Sequence, residues 1–408
     1  MDINANAEQY LREWSEIQGP LSVKGIGDRY VRENTAILLQ NQKTQDLGKA
    51  LFAESFQGSV NAPAALNVGF PDTGNYGSFA PIALALVRRV FPHLFANTLV
   101  GVQAMTGPVG LAYALRFVYA DGQLNEAGWN VVPNYSGFTG STRGTSSVSA
   151  DVGTGVGTSA AEAWEIQGNP AMPELQLKLD RTAIIALTRK LAASFSLEAA
   201  QDIKAMHGLD IEREMLNILQ YEMAAEIDRE TIAQCKAAAP TPVTWDIASS
   251  ASDGRWSQEK FTNITTQIIK AANDLATANR RGAGNIVVVS GKLATALQAS
   301  GPIFTRNQSN VNPTQVIPEI GTINGTIKVF RDQYATTDEA LVAYKGPGVT
   351  DAGVIFCPYI TGLTNRAVSP DDFAPRIGVM SRYAFTNNLL GSQNYYRRVI
   401  FSNLSNLL

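Results

Sequence analysis

Only two histidines, His93 and His207, offer a ring nitrogen for acid–base or metal chemistry. His93 follows Pro92 in an apolar turn. His207 stands beside Gly208 at a predicted helix end, where an imidazole favours the helix dipole and catalyses nothing. Neither opens a His-Glu-x-x-His pair, the spacing that puts two zinc ligands on one helical face. Gly284 and Gly291-Lys292 bracket an apolar run, Ile286 to Val289, which is strand-like. Such a strand cannot aim several backbone N–H groups at one phosphate. Gly153, Gly155 and Gly157 lack the spacing and the leading strand of a dinucleotide site. In Gly140-Ser141-Thr142-Arg143-Gly144 a threonine takes the central position, so no nucleophile elbow forms. Glu222, Glu226 and Glu230 recur on one helical face with no histidine beside them. A solvated face, or ion pairs with a neighbouring copy, is the expectation there. The residues thus predict no catalytic, cofactor-binding or metal site.

Composition bounds the elements around these residues. At 408 residues the chain exceeds what one core usually supports, so two or more lobes are expected. Hydrophobic residues make up 45%, enough to fill cores, whereas charged residues make up only 17%. So few charges point to a surface covered largely by other protein. A net charge of −3 argues against a dedicated nucleic-acid binder, which needs a basic face. Cys235 and Cys357 stand far apart, with neither a disulfide framework nor zinc spacing, as suits a reducing compartment. No apolar run reaches the roughly 18 residues of a membrane span. The opening MDINANAEQY has no basic n-region, so neither membrane insertion nor secretion is expected.

Glu8 to Ile17 predicts a short helix with Tyr10, Leu11, Trp14 and Ile17 on one stripe, and Arg29 to Gln42 a second. Neither can hold a core alone, so both are expected to lie on something else. Gly58 to Ser78 reads as a connector. Pro81 to Phe95 reads as a helix entered at a proline, and Leu99 to Tyr119 as strand pieces. From Asp121 to Met172 small polar residues dominate, punctuated by Trp129, Tyr135, Phe138 and Trp164. That spacing suggests a long hairpin docked on a partner. Leu175 to Ala193 alternates as strand. Ser196 is placed to cap a helix that His207-Gly208 ends. Leu209 to Lys236 is the longest helical pattern, about 40 Å, with Met215, Leu216, Leu219, Met223 and Ile227 as its apolar stripe. Beyond Pro240 a Ser257 cap with a Trp256–Phe261 staple opens a helix to Asn279. A buried strand (Asn285 to Ser290), a short helix (Gly291 to Ala299) and strands at Thr322 to Phe330 and Ala340 to Lys345 complete an α/β lobe. From Asp351 the chain is rich in strand and turn.

Four ordered blocks carry a resemblance. Arg88 to Tyr119, RRVFPHLFANTLVGVQAMTGPVGLAYALRFVY, closely resembles a block in the major capsid proteins of T-even-like tailed phages (the myovirus branch). The shared order is Arg-Arg, Pro-x-Leu, Gly-Val-Gln, Met, Pro-x-Gly, then Tyr-Ala-Leu-Arg. Ser196 to Ile232 is similar to that family's spine-helix block, with Ala199 where the family has leucine. Tyr344-Lys345-Gly346-Pro347 with Asp351-Ala352-Gly353 and Pro358-Tyr359 makes the third block, and Tyr396-Arg397-Arg398 the fourth. The T-even insertion in the extended loop looks absent or minimal here.

The resemblance implies an α+β chain of the Hong Kong 97 phage capsid fold. Residues 1–80 would be the N-terminal arm, 81–120 the first part of the peripheral domain and 121–180 the extended loop. Residues 181–240 would carry the spine helix, 241–350 the axial domain, and 351–408 the return to the peripheral domain. Tyr10, Trp14, Arg88, Arg89, Trp129, Phe138 and Trp164 are the candidate intersubunit contacts. The family removes its arm after a glutamate. Leu51-Phe52-Ala53-Glu54 is the candidate, yet this chain is expected to keep its arm. The implied function is a self-assembling icosahedral head shell around packaged double-stranded DNA, in the virion, assembled in the bacterial cytoplasm. Implied partners are other copies in hexamers and pentamers, portal, scaffold, vertex or decoration proteins, and DNA held nonspecifically, with no membrane and no cofactor. A vertex protein of the same fold is the nearest alternative. A hydrolase whose site leaves no trace in the sequence is the alternative from another class.

Overall fold

The computed structural model describes residues 3–16, 22–57, 91–119, 158, 162, 175–247, 256–300, 304–306, 317–348, 351–368, 374–388 and 391–404. In chain order, α1 (Ile3–Glu16) and α2 (Arg29–Gln57) precede a 3₁₀ turn at Phe91–His93 and the single turn α3 (Ala96–Leu99). Strands β1 (Gly101–Val102), β2 (Val109–Tyr119), β3 (Leu175–Ile185) and β4 (Leu187–Ser194) follow. Next come α4 (Leu197–His207), the long α5 (Ile211–Ala238), β5 (Val243–Asp246), α6 (Ser257–Asn279), β6 (Ile286–Ser290) and α7 (Gly291–Ala299). The chain continues through β7 (Phe304–Arg306), β8 (Glu319–Ile323), β9 (Ile327–Asp332) and β10 (Glu339–Ala343). It ends in β11 (Val354–Val368), β12 (Pro375–Asn387) and β13 (Tyr396–Ser402). Two compact units result. One comprises Met1–Gly110, Ile184–Gln234 and Val354–Thr386; the other Leu111–Ala183, Cys235–Gly353 and Asn387–Leu408. The helices and sheets make an α+β chain.

The first unit holds a four-stranded sheet in the order β1-β11-β12-β4. Strand β4 runs antiparallel to β12, from Arg376 opposite Ser194 to Tyr383 opposite Leu187. The stripe of α5 meets this sheet, where Leu216, Leu219 and Met223 pack with Ile377 and Val379. From Ala225 the buried arc of the helix widens to take in Asp228, Thr231 and Ile232. The arm is held by its own chain. Asn34 donates to the carbonyl of Val102 (3.2 Å) and accepts from Ala104 N–H (3.1 Å). Asn41 donates to the carbonyls of Met105 (2.7 Å) and Tyr359 (3.1 Å). Two side-chain amides thus satisfy backbone groups that would otherwise be stranded on burial.

The second unit holds a seven-stranded mixed sheet, β5-β13-β10-β6-β9-β8-β7. Strand β6 is buried at every position, as its unbroken Ile-Val-Val-Val run requires of a central strand. Ile264, Ile268 and Leu275 of α6 and Leu293 and Leu297 of α7 build one core with Val287, Val289, Val342, Val399 and Phe401. Glu339, only 5% exposed, takes Lys236 (2.7 Å) and Arg398 (2.8 Å). Burial resists its charge, but the two cations still hold the carboxyl below its usual range.

Four expectations need correction. Residues 351–408 do not return as one piece, because β13 sits between β5 and β10 in the second unit's sheet, where Val399 and Phe401 complete the core. Thr322 to Phe330 is a hairpin, not one strand. Asn324 and Gly325 have φ of 52° and 71°, the paired positive values of a type I′ turn. Helix α6 is capped by Trp256, whose carbonyl takes the first helical bonds from Glu259 and Lys260. The Trp256 ring is 79% exposed, so the staple with Phe261 does not form. The described end of the Pro81 to Phe95 segment is a 3₁₀ turn around Pro92, which lacks the N–H a continuing helix needs.

The sequence blocks acquire physical reasons here. A Cβ on Gly346 would meet the Asp351 side chain at under 2 Å, and one on Gly353 would meet the ring of Tyr396 at 2.4 Å. Asp351 itself accepts from Arg281 (3.0 Å) and the Tyr395 hydroxyl (3.2 Å). The Lys-Gly-Pro and Asp-Ala-Gly pieces are therefore one knot, closed by the Tyr395-Tyr396 pair.

Candidate functional site

Strands β2 and β3 form a two-stranded ribbon. Alternate side chains of a strand share a face. On β2 the odd positions carry Leu111 and Phe117; on β3 they carry Leu175, Leu177 and Leu179. Each of these five is between 49% and 64% exposed. The intervening positions of β3 are Gln176, Lys178 and Asp180, the last two forming an ion pair at 3.5 Å. Along this stretch β3 is therefore apolar on one side and polar on the other. A lone two-stranded ribbon is marginal in water. Exposed apolar side chains recurring along such a ribbon are the kind of surface on which other protein packs.

The first unit carries more uncovered apolar surface. Helix α4 has a sound local design. Ser196 Oγ accepts from Ala199 N–H at 3.2 Å, and Gly208 closes the helix at φ 67°. Yet not one of its eleven residues is buried, though a helix this short is marginal without packing. Leu197, Met206 and Leu209 project into solvent there. On α5, Ile218 and Tyr221 are exposed three residues apart, a second stripe beside the buried one. Strand β4, an edge of the four-stranded sheet, exposes Leu187 and Leu191.

The titratable groups are occupied with structure. Arg189 of β4 reaches Glu226 (2.9 Å) and Glu230 (2.6 Å) on α5, and the Tyr383 hydroxyl donates to Glu230 at 2.6 Å. Burial, reinforced by Glu230, pushes the Tyr383 phenol far up. Two of the three helix glutamates thus pair within their own chain. Asp228 is buried and accepts from Phe95 N–H at 2.9 Å. Desolvation pushes its carboxyl up to about 7 against the two backbone donors, Phe95 and Ala96. Burial likewise pushes the Cys235 and Cys357 thiols up to about 12, which makes both poor nucleophiles. Among the described residues no three His, Cys, Asp or Glu side chains are grouped to hold a metal.

Of the contact candidates drawn from sequence, Trp14 is 3% exposed in the isolated chain. It packs where α1 meets α2, with the Lys43 ammonium 5.9 Å from the ring centroid. Its ring is consumed within the chain's own arm and is not surface offered to a neighbour. Tyr10 is half-buried on the same helix. Arg88, Arg89, Trp129, Phe138 and Trp164 lie outside the described residues. Glu54 falls inside α2, whose helix runs fifteen residues past Gln42. Sequence reading did not single out the exposed leucines of β3. Their alternation was visible, but nothing local showed that no core would cover them.

A chain with two packed cores, an uncovered apolar ribbon and an unsupported helix is a structural subunit, one whose surface is completed by other protein. The family model of the major capsid protein Gp23 matches residues 76–403, and the chain belongs to that family. The major capsid protein of Salmonella phage ViI is 29% identical, over 93% of this chain and 88% of its own length. That of Enterobacteria phage T4 is 26% identical, over 87% of this chain and 84% of its own. Among solved structures, the mature capsid of bacteriophage PhiM1 aligns with 75% of this chain and 85% of its own at 11% identity, with a TM-score of 0.44. The capsid of Myoviridae phage XM1 aligns with 75% of this chain and 91% of its own at 8% identity, with a TM-score of 0.40.

Proposed function

We propose that many copies of this chain close into the icosahedral head shell of a tailed phage, on the Hong Kong 97 architecture, around packaged double-stranded DNA. The bare apolar face of the β2–β3 ribbon carries this reading. Each copy lays its ribbon on a neighbour and receives another in return, so modest contacts repeated by symmetry add up to a closed container. Arm, α4 and the β4 edge add further buried area. With a net charge of −3, the chain meets DNA only through nonspecific contacts with the phosphate backbone. Portal, scaffold and vertex or decoration proteins complete the particle, and assembly takes place in the bacterial cytoplasm. No step calls for a catalytic group or a cofactor.

Electron microscopy of the purified, expressed chain tests the proposal. Closed shells or six-fold capsomers at high protein concentration are expected. A chain that stays monomeric at every concentration, with and without scaffold, would refute it.

A further inference from the structure

The four-stranded sheet carries charge of one sign. Strands β4, β11 and β12 hold Arg189, Lys190, Arg366, Arg376 and Arg382, and not one aspartate or glutamate. Helix α5 takes up two of these cations: Arg189 pairs with Glu226 and Glu230, and Arg366 with Glu212. The other three stand on the opposite face. Ile377 packs with α5 and the Tyr383 hydroxyl donates to Glu230, so alternation turns Arg376 and Arg382 away from the helix. Lys190 is likewise turned away by its neighbour Arg189, which reaches α5.

Along β12 and β4 this second face is open. Ile377, Val379, Ser381 and Tyr383 are buried, whereas the residues between them are half-buried or exposed. On β4, Thr188, Lys190, Ala192 and Ser194 are all exposed. The middle of the face is low. Gly378 stands opposite Ala192, and a Cβ on it would meet only the Leu191 carbonyl and the Ala192 methyl, at 3.7 and 3.9 Å. Arg376 stands at one end of this floor, Lys190 and Arg382 at the other. Lys190 faces Met380 across the ladder and Arg382 lies two residues further on, a diagonal of about 7–8 Å. The Arg382 guanidinium rests over the Tyr359 ring, 5.5 Å from its centroid, and so is steadied without losing its charge. From Arg376 to Arg382 the row runs about 20 Å along the strand.

We infer that this face is the one each subunit turns to the contents of the shell, and that Lys190, Arg376 and Arg382 contact the phosphate backbone of the packaged duplex. The inference rests on the shell reading above, since a closed container is what brings the chain against packaged DNA. Subunits of a one-layer shell abut along their edges, which leaves a broad sheet face to the contents or to the exterior. Each strand of a duplex presents one phosphate per 3.4 Å of axis, so a row of about 20 Å faces about six of them. Long cationic side chains around a low floor hold such a polyanion without reading its bases. The net charge of −3 does not oppose this. The carboxylates of α5 lie on the far side of the sheet, and at physiological salt exposed charges are screened beyond about 8 Å.

Acetylation of amines in DNA-filled particles and in particles emptied of DNA, read by peptide mass spectrometry, tests Lys190 directly. Lys190 should be shielded in filled particles and several-fold more reactive in emptied ones. Equal reactivity in both would put the face on the exterior, and shielding in both would put it under another protein; either overturns the inference. The unassembled full chain gives a second readout, the binding of a labelled duplex across a salt series. For three phosphate contacts the slope of log affinity against log salt should be about −2.7, and Lys190→Gln/Arg376→Gln should flatten it by about 1.8. An unchanged slope, or no binding by the parent at low salt, would also overturn it. Absence of shells in the microscope would sink the shell reading and this one together. Shells that form while Lys190 reacts alike in filled and emptied particles would sink this one alone.

Discussion

Truncating Leu177 and Leu179 together to alanine should cripple assembly and leave the fold alone. Both side chains stand in water in the isolated chain, 64% and 61% exposed. Removing them therefore deletes little that holds the subunit together. In a shell they would pass from water into an interface. Leucine to alanine removes three carbons at about 0.8 kcal/mol each when fully buried. Scaled by the exposed fraction, that is about 1.5 kcal/mol per residue, or about 3 kcal/mol per ribbon contact. At about 1.4 kcal/mol per tenfold, the threshold concentration for assembly should rise on the order of 100-fold. Light scattering across a dilution series, with sedimentation of the products, reads that threshold. Circular dichroism melts of the unassembled chain check the fold. Leu177→Ala/Leu179→Ala protein that melts like the parent yet assembles within about threefold of its threshold would refute the reasoning, and the ribbon's apolar face would then not be an interface.

Deleting Gly137 to Thr158, the glycine-rich stretch flanked by Trp129 and Trp164, should give a soluble, folded subunit that forms no stable shells; normal assembly would remove the loop tip from the clamp. The arm is wired to β11 and to the chain after β1 through Asn34 and Asn41, so mature particles should retain residues 1–54. An intact mass short of those residues would contradict this. No lysine occurs between Ala50 and Leu177, and Arg143 cannot lose its proton to become a nucleophile. Mature particles boiled in reducing detergent should therefore run as one band near 43.8 kDa; a ladder of covalent oligomers would show welded subunits. Asp228 predicts a pH slope. Its carboxyl is raised by burial from 3.8 to about 7, so the folded state keeps a proton that the unfolded chain releases, and stability falls as pH rises between those values. Asp228→Asn keeps the acceptor for Phe95 N–H. It should match the parent near about pH 4 and melt higher at about pH 8, with no slope between; parallel melting curves would exclude a neutral buried carboxyl.

Much of the fold was legible because local signals and tertiary demands agreed. The Ile-Val-Val-Val run could only be a central strand. Ser196 and Gly208 bound α4 at the residues their chemistry selects, and of the 3.6-residue stripe expected on α5 Leu216, Leu219, Met223 and Ile227 are buried, while Met215 is only half-buried. Three things were not local. The destination of β13 depends on an unfilled slot between β5 and β10, some fifty residues or more away along the chain. Trp256 and Ser257 look like a staple and a cap whichever of the two begins the helix; only the carbonyl that takes the first hydrogen bonds decides. The alternation Leu175-Gln176-Leu177-Lys178-Leu179 states that one face of β3 is apolar, but says nothing of what covers it. Burial belongs to the whole structure. The same pattern marks a core strand when a helix lies on it and leaves bare leucines when, as here, none of the described residues covers them.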